Sequence, residues 1–174
     1  MRLVIIKDEY LDYLKKFSEN VKYNKQEKRP YVGIVLSING HDYFAPLGSP
    51  KPKHKQMKEA GDFIKIDNGN LGVVNLNNMI PVPYDKIKEI DFSICDDKYK
   101  ELLKDQSIWL RENSKKINKK AEKLYKLITT KENTIFHKRS NNFSLLEEKA
   151  IEYEQLTEKK TARKWKKSFP TNSL

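Results

Sequence analysis

Apolar residues follow two different rhythms along this chain, and the change between them falls near Cys95. In the first half they come in short runs separated by turn-forming residues, at 3–6, 31–38, 41–47, 63–66, 71–76 and 79–82, with a further run at 87–92. Short apolar runs bounded by Gly, Pro, Asn and Asp predict strands rather than helices. The clearest pair is "YVGIVLSI" and "HDYFAPL", joined by Asn39-Gly40, a dipeptide that accepts the positive φ angles of a two-residue hairpin turn. "DNGN", residues 67–70, predicts another turn. One short helix interrupts the strands early. Asp8 is placed to cap it, and Tyr10, Leu11, Leu14 and Phe17 fall on one face.

In the second half the spacing becomes helical. From 97 to about 128, Tyr99, Leu102, Leu103, Leu110, Ile117, Ala121, Leu124 and Ile128 form a stripe, with lysines crowding the other face and neither Gly nor Pro to interrupt it. "SLLEEKAIEYEQL" opens with Ser144 and Glu147 in a capping-box arrangement and predicts another helix. A basic tail at 158–174, "EKKTARKWKKSFPTNSL", follows and is expected to be mobile. The pattern as a whole predicts an α+β fold: a small, strongly bent antiparallel sheet or barrel, an N-terminal helix and long C-terminal helices. A length of 174 residues suits one domain over 1–174, with enough chain to bury a core.

Charge adds a partner class to this picture. Thirty-five Lys plus Arg against 24 Asp plus Glu leave a formal net charge of +11, which favours an anionic partner, nucleic acid ahead of an acidic membrane. Aromatic side chains are interleaved with these charges, so stacking on bases is chemically available. The apolar run at 3–6 is too short for the core of a signal peptide, and no run approaches a membrane span. Cys95 is the lone cysteine, so no intrachain disulfide forms, and a cytoplasmic setting is expected. Cys95 itself reads as a half-buried filler.

Metal and nucleotide-loop chemistry find little support. His41, His54 and His137 are scattered, without an H-x-x-x-H pair, so no zinc site is visible. The chain has no Gly-rich phosphate loop and no G-x-S-x-G elbow, and Gly69 and Gly72 read as turn or bulge residues. Metal-free phosphate chemistry stays open. RNA carries its own nucleophile, the 2′-hydroxyl, so a protein that cleaves it need only align that oxygen and stabilise the growing charge. In "GSPKPKHK", Pro50 keeps the backbone extended, so Ser49 and Lys51 project toward the same side. The competing reading is a surface turn followed by solvated lysines. The stretch 22–29 divides the same way: Tyr23 stacks on a base and Arg29 clamps a phosphate, or the segment is simply a polar loop. Lys115, Lys116, Lys119, Lys120 and Lys123 fall around an exposed helix face that could follow an RNA backbone. Trp109 reads as core; Trp165 reads as a stacking residue or an anchor for the tail.

Three stretches, taken together, are more specific than any basic patch. "YVGIVLSINGHDYFAPLGSPKPKH", "LGVVNLNNMIPV" and "NNFSLLEEK" come in an order and spacing that resemble the ToxN/AbiQ family. These are endoribonuclease toxins of type III toxin–antitoxin and phage abortive-infection systems. The resemblance implies a compact sheet similar to that of the MazF and Kid toxins, with added helices. It implies RNA cleavage without metal or cofactor, leaving a 2′,3′-cyclic phosphate and a 5′-hydroxyl. The implied substrates are cellular and phage RNA. The implied inhibitor is a repeat-derived, pseudoknotted antitoxin RNA that the toxin processes and binds, with a toxin–RNA hetero-oligomer left open. The implied catalytic set is Ser49 and Lys51, a basic residue before the second strand (Arg29 or Lys28), and Tyr23. Lys28, Lys53, His54, Lys55, Lys116 and Lys119 are the residues expected to hold RNA.

The chain departs from the family pattern at two places. Gly48 stands where Thr is familiar, so one side-chain hydroxyl must be replaced by a backbone N–H or water. Arg29, followed by Pro30, stands where Lys is familiar, and a guanidinium suits a charge clamp better than a general acid. The rival reading is a non-catalytic RNA-binding module, which would not need the Ser49–Lys51 pair. A DNA-binding regulator lacks any helix-turn-helix signal.

Overall fold

The computed structural model describes residues 1–22, 28–130 and 134–168, with side chains as far as Thr161. Strand β1 (Arg2–Ile6) leads into helix α1 (Asp8–Lys15), then into the hairpin of β2 (Tyr31–Ile38) and β3 (His41–Gly48). A single helical turn, α2 (Pro52–Gln56), follows, and then four short strands: β4 (Ile64–Lys65), β5 (Val73–Val74), β6 (Ile80–Pro81) and β7 (Ile87–Lys88). Helices α3 (Asp97–Glu112), α4 (Ser114–Thr130) and α5 (Phe143–Ser168) complete the chain.

The strands form one antiparallel sheet in the order β4-β5-β3-β2-β1-β7, with β6 also paired to β3. Among the described residues nothing joins β4 to β7, so the sheet is open, and the barrel alternative expected from sequence is not met. The hairpin turns where expected: Asn39 and Gly40 have φ of 52° and 76°. The register of β2 against β3 shifts between Gly33 and Leu36, an irregularity of the kind that bends a sheet.

Both faces of the sheet are buried, which explains why β2 and β3 read as continuous apolar runs rather than strict alternations. On one face Val32, Tyr43, Ala45 and Leu47 meet Leu110, Ile117, Ala121 and Leu124 from α3 and α4. On the other, Val4, Ile6, Tyr31 and Phe44 meet Tyr10, Leu11 and Leu14 of α1 and Leu146 and Ala150 of α5. Trp109, read from sequence as core, is partly buried and packs against the first cluster.

Several local expectations are corrected. Asp8 is the first residue of α1 rather than its cap, and Phe17 lies beyond the helix, half in solvent against the Tyr13 ring. The stripe at 97–128 is two helices, because Asn113 leaves the helical path and its side chain donates back to the Trp109 carbonyl at 2.9 Å. Ser144 does not cap α5. That role belongs to Asn142, whose Oδ1 accepts the Leu145 N–H at 3.1 Å. Glu147, instead of closing a capping box, accepts the hydroxyls of Tyr43 and Tyr125, each at 2.8 Å. Helix α5 runs on into the basic tail as far as Ser168.

Candidate active site

The end of β3, the extended segment 48–51 and helix α2 come together on a basic cleft of about 250 Å³. Gly48, Ser49, Lys51, Lys53 and His54 line it from one stretch of chain, and Lys28 and Arg29 from another. Two constraints hold the first stretch. Pro at the first position of α2 fits a helix start, and Lys51 stays extended before it (φ −142°, ψ 147°), its carbonyl accepting the His54 N–H at 2.9 Å. The turn at 66–72 also packs against the segment with no room to spare. A Cβ at Gly72 would run into the Gly48 carbonyl oxygen, and one at Gly69 would lie 2.8 Å from the His54 carbonyl carbon. Both glycines have positive φ, 99° and 95°, so each answers a conformational need and a steric one. They are turn residues, as expected, and they also seat the cleft.

Ser49 and Lys51 are exposed, so both are open to a macromolecule. Arg29 is half-buried, and its guanidinium donates toward the Leu47 carbonyl at 3.5 Å, the end of β3 that delivers Ser49. Lys28 is exposed at the same rim. His54 differs from the lysines around it, being 5% exposed, and among the described residues its Nδ1 has no hydrogen-bond partner. Burial, and then the neighbouring charges of Lys53 and Lys51, hold its pKa below the ordinary 6.5. That shift favours the neutral ring at neutral pH.

Not every sequence-predicted residue joins this group. Tyr23 lies outside the described residues. Lys55 does not line the cleft; its carbonyl, with that of Met57, accepts from the Lys65 ammonium at 3.1 Å, which ties down the end of α2. Lys116 and Lys119 line a separate cavity between α4, Gly61 and Phe136, which shares no residue with the cleft. There Lys116 pairs with Glu59 at 3.6 Å, as does Lys120 at 2.8 Å. Two lining residues have no functional signal in the sequence pattern. Tyr99 reads there only as a stripe residue of α3, yet it lines the cleft. Asn75, which donates to the Pro46 carbonyl at 3.3 Å, has no signal beyond its place in "LGVVNLNNMIPV".

Apart from Val73 and Asn75, which line the cleft, the other two stretches of the resemblance prove to be framework. Val73 and Val74 pair with Gly48 and Leu47. Asn141 is buried and donates to the Met79 carbonyl at 3.1 Å, while Phe143 closes an aromatic cluster with Tyr43 and Tyr125. They hold β3 in place, and β3 presents Ser49.

Among the described residues no group of three or more His, Cys, Asp or Glu is placed to hold a metal ion, and no helix is long and apolar enough to cross a membrane. The profile of a family described as "Toxin ToxN, type III toxin-antitoxin system" matches residues 2–151. The chain is 38% identical over 161 residues to Endoribonuclease ToxN of Bacillus thuringiensis subsp. kurstaki, covering 86% of this chain and 82% of that protein. It is 34% identical over 164 residues to Endoribonuclease AbiQ of Lactococcus lactis subsp. lactis, covering 88% and 89%. A solved structure of AbiQ, a lactococcal anti-phage endoribonuclease of the type III toxin–antitoxin system, superposes with a TM-score of 0.79 at 32% identity, covering 88% of this chain and 98% of that one. Another, from work on selective toxin inhibition by a non-coding RNA pseudoknot, gives a TM-score of 0.77 at 36% identity, covering 88% and 97%.

Proposed function

We infer, from the premise that this chain belongs to the ToxN family of type III toxin–antitoxin toxins, that it is a metal-independent endoribonuclease toxin. The observation that carries the reading is the convergence of Ser49, Lys51, Lys28 and Arg29 on one cleft from separate parts of the chain. Relatives named as endoribonucleases, matched over most of their length, support it.

In this reading the RNA supplies the nucleophile. Its 2′-hydroxyl attacks the adjacent phosphorus, the bond to the 5′-oxygen breaks, and the products are a 2′,3′-cyclic phosphate and a 5′-hydroxyl. The Lys51 ammonium stabilises the charge that grows on the phosphorane, and Ser49 hydrogen-bonds a phosphate oxygen. Arg29, anchored on the end of β3, clamps a phosphate. Tyr23 belongs to the set on the resemblance alone. Lys53 and Lys55 hold the flanking backbone, and Lys116 and Lys119 offer a second, separate place for folded RNA. His54 supports the 48–51 segment instead of gripping RNA.

The inhibitor we assign is a pseudoknotted antitoxin RNA, as in the type III relative solved for its RNA inhibition. The setting we assign is the cytoplasm, in defence against phage, with residues 1–174 acting as one domain. The likeness to the MazF and Kid sheets belongs to the same proposal, supported by a small antiparallel sheet with helices against it. A non-catalytic RNA-binding module is disfavoured because gripping RNA has no use for a serine and a lysine held together by Pro50.

Purified protein incubated with cellular RNA in excess EDTA should cleave it, and the new 5′ ends should accept phosphate from a kinase without prior dephosphorylation. Loss of cleavage in EDTA, restored by magnesium, overturns the mechanism.

A further inference from the structure

Beside the basic cleft lies a second cavity, of about 290 Å³, walled by Ile5, Ile90, Ile94 and Tyr99 and carrying the carboxylates of Asp91 and Asp96. It shares Lys28, Pro30 and Tyr99 with the cleft, so the two are continuous. Its volume corresponds to about ten waters, at roughly 30 Å³ each. That is room for one nucleobase with water to spare.

The sign of charge changes between the two. The cleft gathers cations, whereas this cavity, apart from the shared Lys28, is lined by two acidic residues among apolar walls. A phosphate is repelled from such a place; a neutral, flat, partly apolar group with an N–H edge is not. Its rim is unusually apolar for a surface. Ile94 is 77% exposed and Phe92 half-exposed. Their short turn is held by Asp91, whose Oδ1 accepts the Ser93 N–H at 2.8 Å and its hydroxyl at 2.6 Å. Asp96 is fixed as well: its Oδ1 accepts the Tyr99 N–H at 2.9 Å as the cap of α3. Among the described residues no donor reaches its other oxygen.

We propose that this cavity is a base-selecting subsite, which takes the nucleobase of an RNA nucleotide next to the cleaved phosphate and prefers a base with an exocyclic amino group over uracil. The proposal rests on the endoribonuclease reading. Adenine, cytosine and guanine each present an amino N–H to a fixed carboxylate, while uracil presents carbonyl oxygens on both sides of its single N–H. Ile94 and the Tyr99 ring cover the base faces, as aromatic and apolar side chains do when single-stranded bases are splayed out.

Two variants test it without disturbing the fold. Asp96→Asn keeps a good helix cap but replaces the carboxylate by an amide. Ile94→Ser changes a side chain that lies mostly in solvent. Short RNAs differing at one nucleotide on either side of the cleaved bond are competed for cleavage. The wild type should prefer amino-bearing bases over uracil at one position by about tenfold or more. Asp96→Asn should bring that ratio toward unity while preferences elsewhere stay as they were. In parallel, uncleavable 2′-deoxy versions carrying one abasic site are tested for binding. Removing the base at that position should weaken wild-type binding several-fold and Ile94→Ser binding little. If both variants keep the wild-type cleavage preference and the wild-type abasic penalty, the subsite is overturned. A wild type that binds RNA without cutting it overturns the endoribonuclease reading, and the abasic comparison then decides the subsite alone.

Discussion

Lys51 is the residue whose role the geometry makes most testable. It is exposed, extended and two positions beyond Ser49 across a proline, and in the proposed mechanism its ammonium lies over the phosphate that Ser49 meets. An interaction that strengthens only as the phosphorane forms affects rate more than binding. Lys51→Ala is therefore expected to slow single-turnover cleavage of a short RNA by on the order of 10²-fold. Lys51→Arg recovers part of that rate, since charge is kept but the compact ammonium is not. Binding of an uncleavable 2′-deoxy analogue provides the control. A loss of binding as large as the loss of rate would make Lys51 a gripping residue. At this scale the motif "GSPKPKH" is legible because its chemistry sits in consecutive residues. Tyr99 is not, because helical periodicity gives the face of a residue and not what that face meets. His54 reads as one more basic group until its burial is known.

Among the elements, α5 is tied to the core by a polar contact. Glu147 reaches into the protein to accept two tyrosine hydroxyls, one from β3 and one from α4, beside the stacked rings of Tyr125 and Phe143. Burial, and then the bonded Glu147 carboxylate, raise both phenols, Tyr125 to about 12 and Tyr43 further, so both remain donors across the physiological range. Removing the acceptor leaves two desolvated hydroxyls, each costing about 1–3 kcal/mol. Glu147→Ala should accordingly lower stability by about 2–4 kcal/mol in urea unfolding, and Glu147→Gln, which keeps an acceptor oxygen, by well under half of that. Equal losses in the two variants would mean that the tyrosines find other partners. The helix itself is visible in "NNFSLLEEK", but Glu147 reads locally as a capping partner, since a local pattern and a long-range contact use the same residue. The break at Asn113 has its own signal in Asn-Ser, a capping pair with no Gly or Pro to draw attention to it.

For the whole molecule, a formal net charge of +11 makes RNA affinity a property of salt as much as of shape. The positive groups are not one surface. Lys51 and Lys53 line the cleft, Lys55 stands outside it on the same short helix, and Lys116 and Lys120 are partly neutralised by Glu59. Combined Lys53→Ala and Lys55→Ala should weaken RNA binding and flatten the slope of log affinity against log salt by about 0.7 for each phosphate of single-stranded RNA that is no longer neutralised. Measured binding across a salt series checks this. An unchanged slope would mean that other lysines neutralise the phosphates, with the α4 cavity next to be tested.

Local chemistry is enough to specify the hairpin, the strand-rich first half, the helical second half and the Ser-Pro-Lys segment. Turn dipeptides, apolar spacing and a stiff proline act over a few residues, so they can be read without knowing the fold. The openness of the sheet, the place of Asn75 and Tyr99 in the cleft wall, the burial of His54 and the separation of the α4 lysines from Ser49 needed the tertiary structure. Each depends on which distant segments share a surface. Packing decides this by burying both faces of the sheet at once, and the 66–72 turn, β5 and the start of α3 reach the end of β3 from positions tens of residues away along the chain.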